Sequence, residues 1–209
     1  MFADSDRLRA KWKDLTDEEL MLRVQDGEAA CFDVLVDRYK TRLFNYLLRM
    51  VSDRDEAEEV AQEAFVKAYI HAGKYKTIAK FSTWLYTIAT NLVRNRMRSR
   101  SRAPQIFSLW GRSRYDDDDE KQIDIPDGER TPDEQMNDRE LSDVINQAIE
   151  KIPEKYRTSF VLREISQLSY EEIAAVTGLK LGTVRSRINR ARNYFRQIVE
   201  PLLEKGIDF

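Results

Sequence analysis

A single cysteine, Cys31, excludes any internal disulfide, and with it the stapled folds of small secreted proteins; a reducing, cytoplasmic setting is expected. A single histidine, His71, leaves too few ligands for a Cys/His zinc site. Only 7 glycines and 5 prolines occur in 209 residues, too few for a turn-dense all-β chain, so helices are expected. No apolar run approaches the roughly 18 residues that span a bilayer. The stretch Met1 to Leu15 is charged throughout and lacks the apolar core of a signal peptide. No membrane insertion is expected. Phosphate-loop, dinucleotide, nucleophile-elbow and zinc-protease motifs are all missing. These absences lower the expectation of an enzyme without excluding one, and no catalytic residue, metal or cofactor is assigned.

What is present is charge in blocks. Hydrophobic residues make up 42%, enough for a packed core, while charged residues reach 34%, above the usual quarter. The net charge of −2 is an average over opposed tracts. Lys80 to Arg114 holds eight basic residues and no acid; Tyr115 to Asp143 holds thirteen acids against three bases; Thr183 to Val199 holds five arginines and no acid. Two basic fields flanking an acidic one point to a nucleic-acid partner that the whole-chain pI conceals.

Helical periodicity divides the chain. Thr16-Asp17-Glu18-Glu19 reads as a capping box opening a short helix that ends near Gly27. Phe32, Leu35, Val36, Tyr39, Leu43, Tyr46, Leu47 and Met50 mark a long amphipathic helix. Asp53 to Glu56 opens a third helix by the same capping logic, with a face of small residues from Ala57 to Ala68. A fourth is expected to start at Ser82 or Thr83. These four form a bundle over residues 1–102. Residues 103–135 carry Pro104, Pro126, Gly128, Pro132 and the acidic run Asp116–Glu120, and read as a linker. Helices resume over 136–209, with Pro153 in a first helical turn and Ser169-Tyr170-Glu171-Glu172 as another capping box. The fold class is therefore all-α: two small helical domains joined by an acidic linker.

The C-terminal unit has the spacing of a helix-turn-helix. Small Ala174 precedes Gly178 by four residues, and apolar Val184 follows six later. The second helix packs through Val184, Ile188 and Ala191. Thr183, Arg185, Ser186, Arg187, Asn189 and Arg190 are the candidates for duplex DNA, the N-terminal half of such a helix being the part that enters the major groove. Arg187, Arg192 and Arg196 suit phosphates, which position without specifying.

The tract from Lys74 to Asn91 interleaves lysines with aromatics in a loop and the helix after it. A basic groove with aromatic faces suits unstacked bases, each stack being worth roughly 1–3 kcal/mol. Lys74, Tyr75, Lys80, Trp84, Asn91 and Arg94 are the candidates. Tyr75 and Asn91 read as base contacts; Trp84 alone reads first as a core aromatic.

Four segments resemble the extracytoplasmic-function (ECF) sigma factors of the sigma-70 family. They are Asp53 to Phe65, Phe81 to Ala89, Ile152 to Arg157, and Leu168 to Ala174 together with Gly182 to Arg187. The resemblance implies that residues 1–102 read the promoter −10 element, melt DNA and bind the β′ clamp helices of core RNA polymerase. Residues 136–209 would bind the −35 element and the β flap. It also implies that Glu59, Gln62 and Glu63 contact core polymerase, that single- and double-stranded promoter DNA are both ligands, and that an anti-sigma factor is a partner. The acidic linker would thread the polymerase channel, where Asp116–Glu120 mimics nucleic-acid charge or simply spaces the domains. A two-domain helix-turn-helix regulator working without polymerase is the rival reading. A magnesium nuclease built on the Asp53–Glu63 acids is a remoter one.

Overall fold

The computed structural model describes residues 12–102 and 144–203. The acidic stretch 103–135 lies outside them. All regular structure among the described residues is helical. Helices α1 (Asp17–Gln25), α2 (Cys31–Val51), α3 (Arg54–Ile70) and α4 (Phe81–Arg102) form the first lobe, with a 3₁₀ turn at Ala72–Lys74. The second lobe holds α5 (residues 144–150), α6 (Glu154–Glu164), α7 (Tyr170–Thr177) and α8 (Leu181–Leu203). No helix among the described residues is long and apolar enough to cross a membrane.

Caps set the helix starts. The Thr16 hydroxyl accepts from the Glu19 amide at 3.3 Å, and the Glu19 carboxylate accepts from the Thr16 amide at 2.7 Å. Ser169 and Glu172 repeat this pattern at the start of α7. At α3 only half the box forms. Asp53 accepts from the Glu56 amide at 2.8 Å, but the Glu56 carboxylate is drawn 2.6 Å from Arg100 on α4.

Helix α4 starts at Phe81, ahead of the expected Ser82 or Thr83. Its cap is not local: the Phe81 amide donates to the Glu18 carboxylate at 3.2 Å, across from α1. A helix N-terminus needs acceptors for its unpaired amides, and a carboxylate also suits its positive dipole end. Glu18→Ala is therefore expected to destabilise the first lobe by about 1 kcal/mol, the usual value of a lost cap. Glu18→Gln, which keeps an acceptor, should recover most of it. The urea midpoint at unchanged m-value reads the difference.

In the first lobe Ala57, Val60, Ala61, Ala64 and Ala68 are buried, and their small side chains let α2 and α4 both lie close against α3. Tyr46 and Tyr86 meet edge to face, with ring centroids 5.3 Å apart. The buried Tyr46 hydroxyl is 2.9 Å from that of Thr90, so its polar end is satisfied inside the core.

In the second lobe Pro153 is the cap of α6 and not part of its first turn; its ψ of 133° is extended and Glu154 is the first helical residue. Arg157 reaches back to the carbonyls of Ile152 and Glu150, pinning α6 to the end of the preceding helix. Gly178 ends α7 at φ +70°, the left-handed geometry expected of it. Helix α8 starts at Leu181, two residues earlier than Thr183, because the Lys180 carbonyl accepts the Thr183 and Val184 amides. The lobes are packed together: α4 lies along α7, and α2 touches α6.

Candidate nucleic-acid interface

On α8, Val184, Ile188 and Ala191 are fully buried at helical spacing. They anchor the helix on α6 and α7 and turn the opposite side outward. Arg185, Ser186, Asn189 and Arg190 are exposed on that side, while Thr183 and Arg187 are half-buried at its margins. The Ser186 hydroxyl donates to the Thr183 carbonyl at 3.0 Å. Arg190 is partly committed: it donates to the Tyr156 hydroxyl at 3.2 Å and lies over that ring. That hydrogen bond, with Lys155 close by, holds the Tyr156 phenol below its ordinary pKa. Arg192 is tied to Glu164 on α6 at 2.8 Å, which fixes it beside the helix-turn-helix.

On the first lobe, a rotation of about 100° per residue places Trp84, Asn91 and Arg94 within an arc of about 80° on α4, and Lys80 directly precedes that helix. Asn91 is exposed and Trp84 half-buried. Lys74 is exposed at the end of the 3₁₀ turn. Tyr75, expected as an open face for a base, is instead inside, 5% exposed. Its ring packs against Phe81 and Trp84, and its hydroxyl donates to the Ala79 carbonyl at 2.8 Å. Burial, with the Glu18 and Asp17 carboxylates nearby, pushes the phenol up to about 12. In this conformation Tyr75 is a strut that shapes the loop, and Trp84 is the aromatic nearer the surface.

The three residues expected to meet polymerase lie at i, i+3 and i+4 on α3, but their side chains have different surroundings. Arg96 of α4 bridges Glu59 and Glu63 at 2.9 and 3.2 Å, holding the Glu59 carboxyl below its ordinary pKa. Gln62, exposed one turn along, lines a groove with Val36, Lys40, Phe44 and Phe65 between α2 and α3. Arg96 and Arg100 thus face α3, which removes them from any phosphate-binding stripe that includes Asn91.

Two positions that shape the loop carry little or no sequence signal. Gln25 donates to the carbonyls of Ala72 and Tyr75 at 2.8 and 3.0 Å and so clamps the base of the loop. Ile78 is 92% exposed at its tip, an apolar side chain among lysines. An isolated apolar residue in a polar loop is the available signal for Ile78; Gln25 gives none. Among the described residues no group of acidic, histidine or cysteine side chains could hold a metal ion.

Residues 35–103 match the sigma-70 region 2 family, and residues 142–194 match sigma-70 region 4. The chain is 38% identical over 191 residues to the RNA polymerase sigma-H factor of Pseudomonas aeruginosa, covering 91% of this chain and 97% of that one. It is 37% identical over 184 residues to the ECF RNA polymerase sigma factor SigW of Bacillus subtilis, covering 86% and 95%. Among solved structures, the sigma factor RpoE of Bartonella quintana, in complex with the anti-sigma factor NepR, superposes with a TM-score of 0.62 at 24% identity, covering 81% of this chain and 96% of that one.

Proposed function

The chain belongs to the ECF sigma factors of the sigma-70 family, and from that premise we propose how its two lobes divide the work of promoter recognition. As an alternative sigma factor it directs transcription as a non-catalytic partner of core RNA polymerase and promoter DNA. In the proposed division residues 1–102 take the −10 element and the β′ clamp helices. Residues 136–209 take the −35 element and the β flap. An anti-sigma factor is the expected antagonist, as the RpoE–NepR pair exemplifies for that relative.

The observation that carries this reading is a pairing on one chain. An arginine-bearing helix-turn-helix offers Arg185 and Asn189 to duplex DNA, and a separate stripe offers Trp84 and Asn91 beside a lysine loop. The first suits hydrogen bonding to base edges in a major groove. The second suits a base out of its stack. Extruding a base takes a few kcal/mol, and only a base whose edge fits the Asn91 amide and whose ring meets Trp84 recovers it. Lys74, Lys80 and Arg94 supply backbone contacts, and Ile78 at the loop tip supplies an apolar surface.

Run-off transcription with purified core polymerase on a promoter library tests the whole. Initiation confined to a subset of promoters is expected; polymerase that starts nowhere with this chain present overturns it. For the core-binding surface, Gln62→Ala and Glu59→Lys are each expected to weaken the complex by about five- to thirty-fold, the effect of removing one good interface contact. Glu59→Lys also sets a second cation beside Arg96. Fluorescence anisotropy with labelled chain measures both, and unchanged affinity in the pair removes this surface.

A further inference from the structure

Lys155 and Arg190 come from different helices and meet at one phenol. Arg190 on α8 donates to the Tyr156 hydroxyl at 3.2 Å, with its Cζ 5.9 Å from the ring centroid. Lys155 Nζ, near the start of α6, lies 4.8 Å from the same centroid. The Tyr156 ring is buried and stacked on Tyr194, with centroids 5.9 Å apart and planes 25° apart, so the point where the two cations meet is held by both helices.

Lys155 and Arg190 are both exposed. Among the described residues neither is paired with a carboxylate, whereas nearby Arg192 is tied to Glu164. The acids next in sequence, Glu150 and Glu154, bear on Arg157. Two like charges drawn to one neutral oxygen repel each other, and an anion accepting from both would offset that.

The turn of α8 selects the anion. By a rotation of about 100° per residue, Arg185 and Asn189 lie about 40° apart, while Arg190 lies about 140° from Arg185 and about 100° from Asn189. A helix with its side chains is about 10–12 Å across and the major groove about 12 Å wide, so the helix fills the groove. With Arg185 and Asn189 toward base edges, Arg190 meets the wall of the groove, where a strand of phosphates runs. Lys155 on α6 extends that flank beyond α8.

We propose that Lys155 and Arg190 form a phosphate seat for the −35 duplex, one backbone phosphate held from two helices, with Tyr156 as the positioning residue that keeps both cations on it. This rests on the assignment of α8 to the −35 element. It brings α6 into the DNA contact and makes Arg190 a residue that fixes the register of the duplex without reading its sequence.

The full chain bound to core polymerase is titrated on cognate and scrambled −35 duplexes at several salt concentrations. Lys155→Gln and Arg190→Gln should each weaken both duplexes alike, by about two- to ten-fold. The double variant should lower the slope of log affinity against log salt by about 0.9 in all, one phosphate, and not by twice that. Tyr156→Phe keeps the ring stack and removes the hydroxyl. It should weaken binding by about two- to five-fold at an unchanged melting temperature, and should have no effect once both cations are replaced. Relaxed base choice in Arg190→Gln overturns the seat. So does a salt slope unchanged in the double variant, or one lowered by two phosphates. A Tyr156→Phe loss that persists without the cations removes the positioning role. If Lys155→Gln instead loses affinity for core polymerase, the anion is a carboxylate of that partner and the phosphate seat is wrong. Arg185→Ala on the same duplexes tests the −35 assignment by itself.

Discussion

Asn91→Ala is expected to slow open-complex formation by about ten- to a hundred-fold and to flatten base preference at one position of the −10 element. The magnitude follows from the chemistry lost. A carboxamide offers one acceptor and two donors, and a well-matched base edge is worth about 1–3 kcal/mol of discrimination, with about 1.4 kcal/mol per factor of ten. Alanine keeps the helix and removes the edge. Because Asn91 is exposed, its loss should move stability by no more than about 0.5 kcal/mol, so a slowed complex reports on DNA. Permanganate reactivity of melted thymines measures the rate, and a promoter library randomised across −10 measures the preference. Wild-type footprints together with wild-type preference in this variant would withdraw Asn91 from the site.

The apolar side of each long helix is legible in the sequence, whereas the placement of Tyr75 is not, and the reason is physical. Periodicity reports which side of a helix is apolar, so α2, the small-residue face of α3 and the Val184–Ile188–Ala191 stripe are all readable from residue spacing alone. Tyr75 sits in a loop, where no periodicity applies. An amphipathic ring among lysines fits a stacking platform as well as a strut, and only the contacts to Phe81, Trp84 and the Ala79 carbonyl decide between them. The same limit hides the cap of α4. Local capping residues lie within a few positions of a helix start, and Glu18 lies 63 residues away in sequence from Phe81. Glu59, Gln62 and Glu63 group together in sequence because they are neighbours on one helix. Their separation into an Arg96-paired couple and a groove-facing glutamine depends on which helices flank α3, a tertiary fact.

On α8 the arginines should part into two kinds when replaced one at a time. Arg185 and Arg196 lie eleven residues apart, about three helical turns, and so project to nearly the same side. Both are exposed. Arg185 stands in the first turns behind the Gly178 bend, where a recognition helix meets base edges. Arg185→Ala is expected to cost about 1–3 kcal/mol on a cognate −35 duplex, with relaxed choice at one base pair. Arg196 stands about 16 Å further along the axis, by a rise of 1.5 Å per residue, beyond the depth at which a helix reads bases. Arg196→Ala should weaken all sequences alike and lower the slope of log affinity against log salt by about 0.9, one phosphate contact fewer. Arg192 differs from both. Glu164 holds it at 2.8 Å, so its replacement should weaken DNA less than that of Arg196. Titrations of polymerase-bound variants on a −35 library at several salt concentrations separate the three. If Arg185→Ala loses affinity uniformly and Arg196→Ala relaxes sequence choice, the orientation of α8 on DNA is the reverse of the one proposed, with its C-terminal half in the groove.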